Sequence, residues 1–282
     1  MPEHAATGSN LDHPWLQARV LQLPGLAHVF TTREGGVSEG AFASLNFKYP
    51  LDAGDEAGGD LRVRQNRQRI CAWLGLPAEH MVACQQTHGD RVQIVTAADR
   101  GRGALRHQDG FADTDGLLTD QAGIALMLMV ADCYPVPMAD PVRRVAGGVH
   151  SGWRGTQQQI AHKAIERMVS DFGSDPADIR LAIGPGIGFG AFEVGAEVIE
   201  AFADQIDLED PELVCPTGEK YRLNLPEILR RQALAAGLNS QHVEIVPGCT
   251  LSESRYYSYR REGGVTGRQA GLIGWLSGPA ER

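Results

Sequence analysis

Three short segments of the sequence each place a metal-binding side chain beside glycine or other small residues. They read QTHGDRV around His88, VADCYPV around Cys133 and GVHSGWRG around His150. Apolar, strand-like residues precede each candidate ligand and a turn or loop lies close behind, which is where site residues usually emerge from a rigid scaffold. Thiolate and imidazole are donors that zinc prefers, and three protein ligands leave a fourth position open, as in catalytic zinc sites.

The spacing of two of these residues predicts that they meet across a hairpin. The segment Asp-Pro-Val-Arg (140–143) is typical of a tight turn, because proline fixes φ at turn position i+1. With Pro141 and Val142 as the central residues, Cys133 and His150 lie directly opposite each other, with Cβ atoms roughly 4.5–5.5 Å apart. The third ligand, His88, must then arrive from another strand or loop.

Spacing alone leaves two other interpretations of these residues open. A lone cysteine after an apolar strand is commonly an inert core residue, and a lone histidine is commonly just hydrogen-bonded. A cysteine with an adjacent histidine can also act as an activated nucleophile without a metal. A stoichiometric metal on the thiolate would argue against a free nucleophile.

Composition argues against several classes of protein. The chain has 282 residues, of which 43% are hydrophobic, enough for one sizeable core. Its net charge of −9 and the lack of a basic run argue against nucleic acid and membrane surfaces as partners. The most apolar stretch, 124–130, is too short to cross a bilayer. Five cysteines, an odd number, predict reduced thiols, and the N-terminus lacks a signal-peptide pattern, so we expect a cytoplasmic protein.

The elements that must position the site are read from periodicity. The composition of residues 1–12 predicts a loose polar tail, and the simplest organisation of 13–282 is a single domain. Alternating residues predict short strands at 19–23 and 28–32, and residues 96–112 have the aperiodic character of an exposed loop. Apolar residues at helical spacing predict helices at 66–74, 156–172, 195–206 and 226–236.

A series of motifs resembles the bacterial YfiH-like, laccase-domain family, in order over about residues 28–275. They are TTREGGVS, SLNF, QTHGDRV, DGLLTD, ADCYPV, GVHSGWRG, IGPGIG with FEVG, and CTLSESRYYSYRREGGVTGRQAGLI. The resemblance implies that His88, Cys133 and His150 are catalytic residues that bind zinc, with copper as the alternative metal. It also implies an α+β fold, a four-layer α/β/β/α sandwich in which helices cover two packed sheets.

The resemblance further implies a zinc-dependent purine nucleoside phosphorylase acting on adenosine, inosine, guanosine or methylthioadenosine with phosphate, with adenosine deamination as an additional activity. Three alternatives remain: a Cys/His amidase acting on peptidoglycan precursors, a copper-dependent polyphenol oxidase, and a metal-binding protein without activity. A multicopper laccase needs many histidines, commonly in HxH pairs, whereas this chain has nine histidines and no such pair. The oligomeric state is left open.

Other residues of these motifs are candidate substrate ligands. Phosphate requires Arg, Lys or backbone N–H groups, so Arg33, Arg67 and Arg154 are candidates for binding it. Asn46 of SLNF is a candidate for binding the purine or the ribose, although an asparagine in such a loop is commonly a turn residue. Asp132 is a candidate for orienting a metal ligand.

Two positions depart from the family pattern. Gly186 stands where IGPCIG usually has cysteine, and Phe192 stands where YEVG has tyrosine. Both lie near the pocket in that pattern, so we expect a substrate hydroxyl contact to be lost.

Overall fold

The computed structural model describes residues 13–49 and 61–278, and the tail predicted at residues 1–12 lies outside this part of the chain. The strands are β1 (Leu26–Phe30), β2 (Val82–Ala83), β3 (Val92–Ile94), β4 (Gly116–Thr119), β5 (Leu126–Val130), β6 (Tyr134–Asp140), β7 (Val145–Ser151), β8 (Arg180–Ile183), β9 (Glu193–Val194), β10 (Val214–Thr217), β11 (Lys220–Leu223), β12 (Val243–Ile245) and β13 (Gln269–Trp275). The α-helices are α1 (Leu61–Leu74), α2 (Trp153–Gln157), α3 (Ile160–Phe172), α4 (Ala196–Glu200) and α5 (Leu225–Ala235). Short 3-10 helices lie at Arg19–Leu21, Gly40–Phe42, Ala78–His80, Ala97–Asp99, His107–Asp109, Phe189–Ala191 and Ser240–His242.

Two large sheets form the centre of the molecule. One has the strand order β1-β13-β5-β2 and the other β12-β8-β6-β7-β4-β3, while β10-β11-β9 form a small third sheet. The large sheets pack face to face, so strands such as β5 and β13 are buried along their whole length. Burial on both faces explains why LMLMV in β5 is an uninterrupted apolar run rather than an alternating one.

Helices cover the outer faces of both large sheets. Residues Ile70 and Leu74 of α1 pack with Met127 of β5 in one apolar cluster, and α3 and α5 pack on the six-stranded sheet in another. A third cluster, which includes Leu126 and Ala146, fills the space between the sheets. The predicted four-layer α/β/β/α arrangement is confirmed. Among the described helices, none is both long enough and apolar enough to cross a membrane.

Several element boundaries differ from the predictions. The helix predicted at 156–172 is two helices, because Gln159 adopts a left-handed conformation with φ 59° between α2 and α3. The strand predicted at 19–23 is a 3-10 turn that buries Leu21, since apolar alternation over so few residues does not distinguish the two. The helix predicted at 195–206 is helical only in α4 and continues as turns.

The register of the β6–β7 hairpin corrects the predicted one. Pro135, not Cys133, is the partner of His150, because the loop has four residues rather than two. At the start of that loop the Asp140 carboxylate accepts hydrogen bonds from the backbone N–H groups of Val142 and Arg143. At its end, Arg144 adopts a left-handed conformation with φ 55°. Cys133 therefore lies just before β6, diagonal to His150 and at the same end of the hairpin, instead of directly opposite it.

Candidate metal site and its pocket

The three predicted metal ligands come together in the structure. One ligand atom each from His88, Cys133 and His150 lies within 4.8 Å of the other two. The imidazole rings of His88 and His150 meet edge to face, with centroids 4.9 Å apart. His88 is exposed, Cys133 is half-buried and His150 is 4% exposed, so the cluster opens to solvent on one side. Two nitrogens and one thiolate sulfur form a donor set that suits zinc and leaves a fourth position for a further ligand.

Two of the three donors lie in loops at the ends of strands, and both of those loops have unusual backbone. His88 lies in the β2–β3 loop with φ 65°, and Asp132, directly before Cys133, has φ 90°. A positive φ is uncommon for residues other than glycine, and such conformations concentrate at functional sites. His150 lies within β7, so one donor is fixed by the sheet and two by loops.

Asp115 holds two of the donors in place, and the sequence predictions missed it. Its fully buried carboxylate accepts from His150 Nδ1 at 2.8 Å and from the backbone N–H groups of Thr87, His88 and Gly89 at 3.1, 3.0 and 2.9 Å. A carboxylate on Nδ1 leaves Nε2 of His150 available as a metal donor. Asp115 is the first residue of the DGLLTD motif, but nothing in that motif indicates a hydrogen-bond partner in another segment.

Charge around Cys133 favours its thiolate form. Burial on its own raises the pKa of the Cys133 thiol, but the neighbouring imidazoles, chiefly His150, outweigh it and lower the pKa below that of an ordinary cysteine. Burial conversely lowers the pKa of His150, while the Cys133 thiolate and the Asp115 carboxylate raise it more strongly. The thiolate is the form of cysteine that binds metals and acts as a nucleophile.

Two neighbours of Cys133 shape its surroundings, and one of them, Asp132, does not contact a metal donor as predicted. The carboxylate of Asp132 accepts from Thr250 Oγ1 at 2.7 Å and from the Arg260 backbone N–H at 2.8 Å. It joins loops around the pocket, and Asp115 is the residue that orients a metal donor. Gly152 is also required locally, because a Cβ atom there would lie 2.7 Å from the Cys133 sulfur.

The donors open into a cavity of about 720 Å³. Aromatic and aliphatic side chains form part of its lining, namely Met129, Trp153, Ile187, Phe192, Leu225 and Tyr259. Basic side chains form another part, namely Lys48, His107, Arg154, Arg260 and Arg268. The cavity thus offers apolar surface for a planar group and positive charge for an anion.

Of the predicted substrate ligands, only Arg154 lines this cavity. Arg67 is 3% exposed, and its guanidinium donates to the backbone carbonyls of Gly103, Ala104 and Phe47. Arg33 donates to the Ala43 carbonyl and pairs with Glu262, and Asn46 is buried behind the cavity wall. The polar groups of these three residues bond to other segments of the chain, so the residues stabilise the fold around the cavity.

Sequence reasoning missed two cations of the pocket, Lys48 and Arg268. Each lies within or next to a motif that the resemblance uses, since Lys48 follows SLNF and Arg268 lies in VTGRQAG. Within residues 13–49 and 61–278, neither forms an ion pair with a carboxylate. Their positive charge is therefore available to a bound anion.

The two departures from the family pattern have structural consequences. A Cβ atom at Gly186 would lie 2.6 Å from the ring of Tyr134, so glycine accommodates that ring. Phe192 lines the cavity with its ring 5.0 Å from the Arg260 guanidinium, a cation–π contact that needs no hydroxyl.

Comparisons with known proteins agree with this architecture. A family model described as multi-copper polyphenol oxidoreductase laccase matches residues 27–276. A Geobacillus stearothermophilus protein named purine nucleoside phosphorylase YlmD is 37% identical over 92% of this chain and 94% of its own length. A Deinococcus radiodurans protein named purine nucleoside phosphorylase is 37% identical over 90% of this chain and 92% of its own.

Solved structures show the same fold. The crystal structure of YlmD from Geobacillus stearothermophilus superposes with a TM-score of 0.86 at 36% identity, covering 96% of this chain and 98% of that one. The crystal structure of Bacillus licheniformis hypothetical protein YfiH gives a TM-score of 0.82 at 36% identity, with coverages of 89% and 93%.

Proposed function

We propose that this chain, which belongs to the multi-copper polyphenol oxidoreductase laccase family, is a zinc-dependent purine nucleoside phosphorylase that also deaminates adenosine. Relatives named purine nucleoside phosphorylase support the reaction class. The observation that carries the proposal is one cavity in which a His88–Cys133–His150 donor set faces both apolar surface and cations without carboxylate partners. Such a cavity suits a purine nucleoside together with phosphate.

Zinc is proposed rather than copper on the basis of the donors. Among the described residues, His88, Cys133 and His150 form the only group of three or more His, Cys, Asp or Glu side chains placed to share a metal. A multicopper oxidase needs a blue-copper centre and a further cluster, which one group of three donors does not provide. Bound zinc would supply positive charge that stabilises negative charge developing on a substrate oxygen.

The side chains of the pocket bind and orient the two substrates. Trp153, Phe192 and Tyr259 offer ring surfaces for the purine, while Lys48 and Arg268 attract phosphate. In phosphorolysis a phosphate oxygen bonds to C1′ of the ribose as the bond from C1′ to N9 breaks. The purine leaves with that electron pair and takes up a proton, giving free base and ribose 1-phosphate without any redox change.

The proposed substrates are adenosine, inosine, guanosine and methylthioadenosine. The proposed location is the cytoplasm, whose reducing conditions suit the five free cysteines.

Product analysis tests the proposal. Zinc-loaded protein is incubated with adenosine or inosine, each with and without phosphate, and the products are separated by chromatography. Free base and ribose 1-phosphate that form only with phosphate support phosphorolysis, and inosine with ammonia from adenosine supports deamination. If neither forms with zinc-replete protein, the nucleoside proposal fails, and oxidation of a polyphenol by copper-loaded protein is the next assay.

A second candidate function rests on the chain of contacts from Cys133 through His150 to Asp115. A thiol with a lowered pKa, a histidine beside it and a buried carboxylate on the far ring nitrogen form a nucleophile, a base and an orienting group. This arrangement suits an amidase acting on peptidoglycan precursors. Metal-free protein separates the two functions, because the amidase keeps its activity after chelation and loses it when Cys133 is alkylated.

A further inference from the structure

One buried side chain joins the two segments that carry the pocket cations. Asn46 Oδ1 accepts from the backbone N–H groups of Lys48 at 3.0 Å and Arg268 at 2.9 Å. Its Nδ2 group donates back to the Lys48 carbonyl at 2.9 Å. Next to it, the Phe47 N–H donates to the Arg268 carbonyl at 3.0 Å. The backbones of both cations are therefore fixed relative to a single amide.

Asn46 is itself rigidly held. It is 3% exposed, and Asn66 from α1 donates to its backbone carbonyl at 2.9 Å. The neighbouring Arg67 donates to the Phe47 carbonyl at 2.7 Å. A Cβ atom at Gly267 would lie 3.0 Å from Asn46 Oδ1, so glycine lets the segment before Arg268 come close. A fixed base is what a binding site needs from the residues behind it.

Neither of the two cations forms an ion pair with a carboxylate among the described residues. Arg268 turns its guanidinium back over its own segment, where Nη1 donates to the carbonyls of Thr266 and Gly267 at 3.2 and 2.9 Å. Burial, and then the charge of Arg268, lower the pKa of Lys48, so the two cations are close enough to repel each other. The amide between them is neutral and cancels neither charge. Two cations facing one cavity in this way suit a doubly charged oxyanion.

We infer that Asn46 is a positioning residue that holds Lys48 and Arg268 together as one oxyanion-binding pair. It acts through those two residues and not on the substrate, because its side chain is bonded to their backbones and does not line the cavity. The identification of the oxyanion as phosphate rests on the proposed function.

Calorimetric titration of the zinc-loaded protein with inorganic phosphate, and separately with inosine, tests the inference. Asn46→Ala is expected to weaken phosphate binding about tenfold while zinc content and inosine affinity stay within about twofold, since three hydrogen bonds to the cation segments are lost. The control is Asn239→Ala, which removes a similar local bond to the Gln241 N–H away from the pocket. It should bind phosphate like the parent protein.

A double-mutant cycle separates positioning from a general loss of structure. If Asn46 acts through Lys48, adding Asn46→Ala to Lys48→Ala should weaken phosphate binding much less than it does in the parent protein. A full additional loss in the double variant, or unchanged phosphate affinity in Asn46→Ala, would overturn the inference.

Asn46→Asp covers the case in which the alanine variant does not fold. It keeps both acceptor bonds but places a negative charge beside the cations, so phosphate binding should fall about tenfold or more while inosine binding is retained. Parent-like phosphate binding in this variant would contradict the inference. Failure of phosphorolysis with phosphate binding intact would remove the proposed function alone, whereas a parent protein that binds no phosphate would overturn the oxyanion pair.

Discussion

Two walls of the pocket have a similar construction, but one presents metal-binding donors and the other presents cationic side chains. The metal wall consists of His88, Cys133 and His150, and the cation wall consists of Lys48 and Arg268. Each wall combines segments that are far apart in the sequence. In the metal wall the buried Asp115 carboxylate bonds to the backbone of the His88 segment and to the His150 side chain. In the cation wall the buried Asn46 amide bonds to the backbone of both cation segments.

The two positioning side chains differ in charge. Asp115 is an anion that accepts five hydrogen bonds and orients an imidazole, which favours binding of a cation by that imidazole. Asn46 is a neutral amide between two cations, so it fixes them without cancelling their charge. The comparison teaches that the charge of a positioning group, as well as its geometry, selects which ligand the wall can hold.

The largest effect should come from removing a donor of the metal wall. The parent protein should contain about one zinc per chain, and Cys133→Ala should lower zinc affinity by on the order of a hundredfold or more. Elemental analysis after dialysis measures this. Cys249→Ala is the control, because Cys249 is also half-buried but is not among the clustered donors. Full zinc occupancy in Cys133→Ala would remove the metal wall from the comparison.

Replacing the charged positioning residue should have the next largest effect. Asp115→Asn keeps the shape but loses the negative charge and one set of acceptor lone pairs, so zinc affinity should fall roughly 10- to 100-fold. Competition with a chelator measures it. The control is Asp140→Asn, since Asp140 is also fully buried and bonds backbone N–H groups, but in the hairpin loop. Equal losses of zinc affinity in the two variants would show a general folding defect instead.

A smaller effect should follow from crowding the thiolate. Gly152→Ala places a Cβ atom 2.7 Å from the Cys133 sulfur and 3.5 Å from a ring carbon of His88. The sulfur must move, so zinc affinity should drop about tenfold. Gly190→Ala is the matched control, because an added Cβ there meets nothing within 4 Å. Unchanged zinc affinity in Gly152→Ala would show that the metal wall tolerates displacement.

That the three candidate donors lie together could be predicted from the sequence because chemistry restricts the choice. Few residue types bind zinc, and the three candidates stand at strand ends in motifs that resemble a known family. The layered fold followed from the same resemblance. The hairpin register could not be predicted, since the turn is set by an Asp140 side-chain contact and a left-handed Arg144.

The positioning residues were not predictable in their roles. Asp115 bonds to residues 26 to 35 positions away, and Asn46 to a residue 222 positions away, so no local spacing reveals either contact. The sequence predicts Arg33 and Arg67 as ligands because phosphate requires basic groups, and Asn46 as a ligand of the purine or the ribose. The structure shows that such residues can equally hold the backbone behind a site.

Arg154 belongs to neither wall, and its contribution to phosphate binding can be compared with that of the cation wall. It is exposed at the start of α2, with its guanidinium 4.4 Å from the ring of Trp153. If the Arg154 guanidinium binds phosphate equally in the ground state and the transition state, Arg154→Ala should raise the apparent KM for phosphate about threefold to tenfold with little change in kcat. Steady-state assays at varied phosphate measure this, with the distant Arg143→Ala as control. A large fall in kcat would place Arg154 among the groups that act on the transition state.

The smallest expected effect concerns the protonation of Lys48. Burial, and next the charge of Arg268, lower the pKa of Lys48 below that of an ordinary lysine, and His107 faces it from another loop of the pocket. Only the protonated amine attracts phosphate. Because the pKa is lowered, the positive charge is lost on raising the pH at a lower value than for a free lysine.

Phosphate affinity should therefore decline up to about fivefold as the pH rises through that lowered pKa, a modest loss because one half-buried charge disappears. In Lys48→Arg the guanidinium stays charged over the same range, so the decline should be abolished while affinity at neutral pH is kept. Phosphate titrations at a series of pH values, with zinc content checked at each, measure this. An identical decline in phosphate affinity in both proteins would show that a group other than Lys48 titrates.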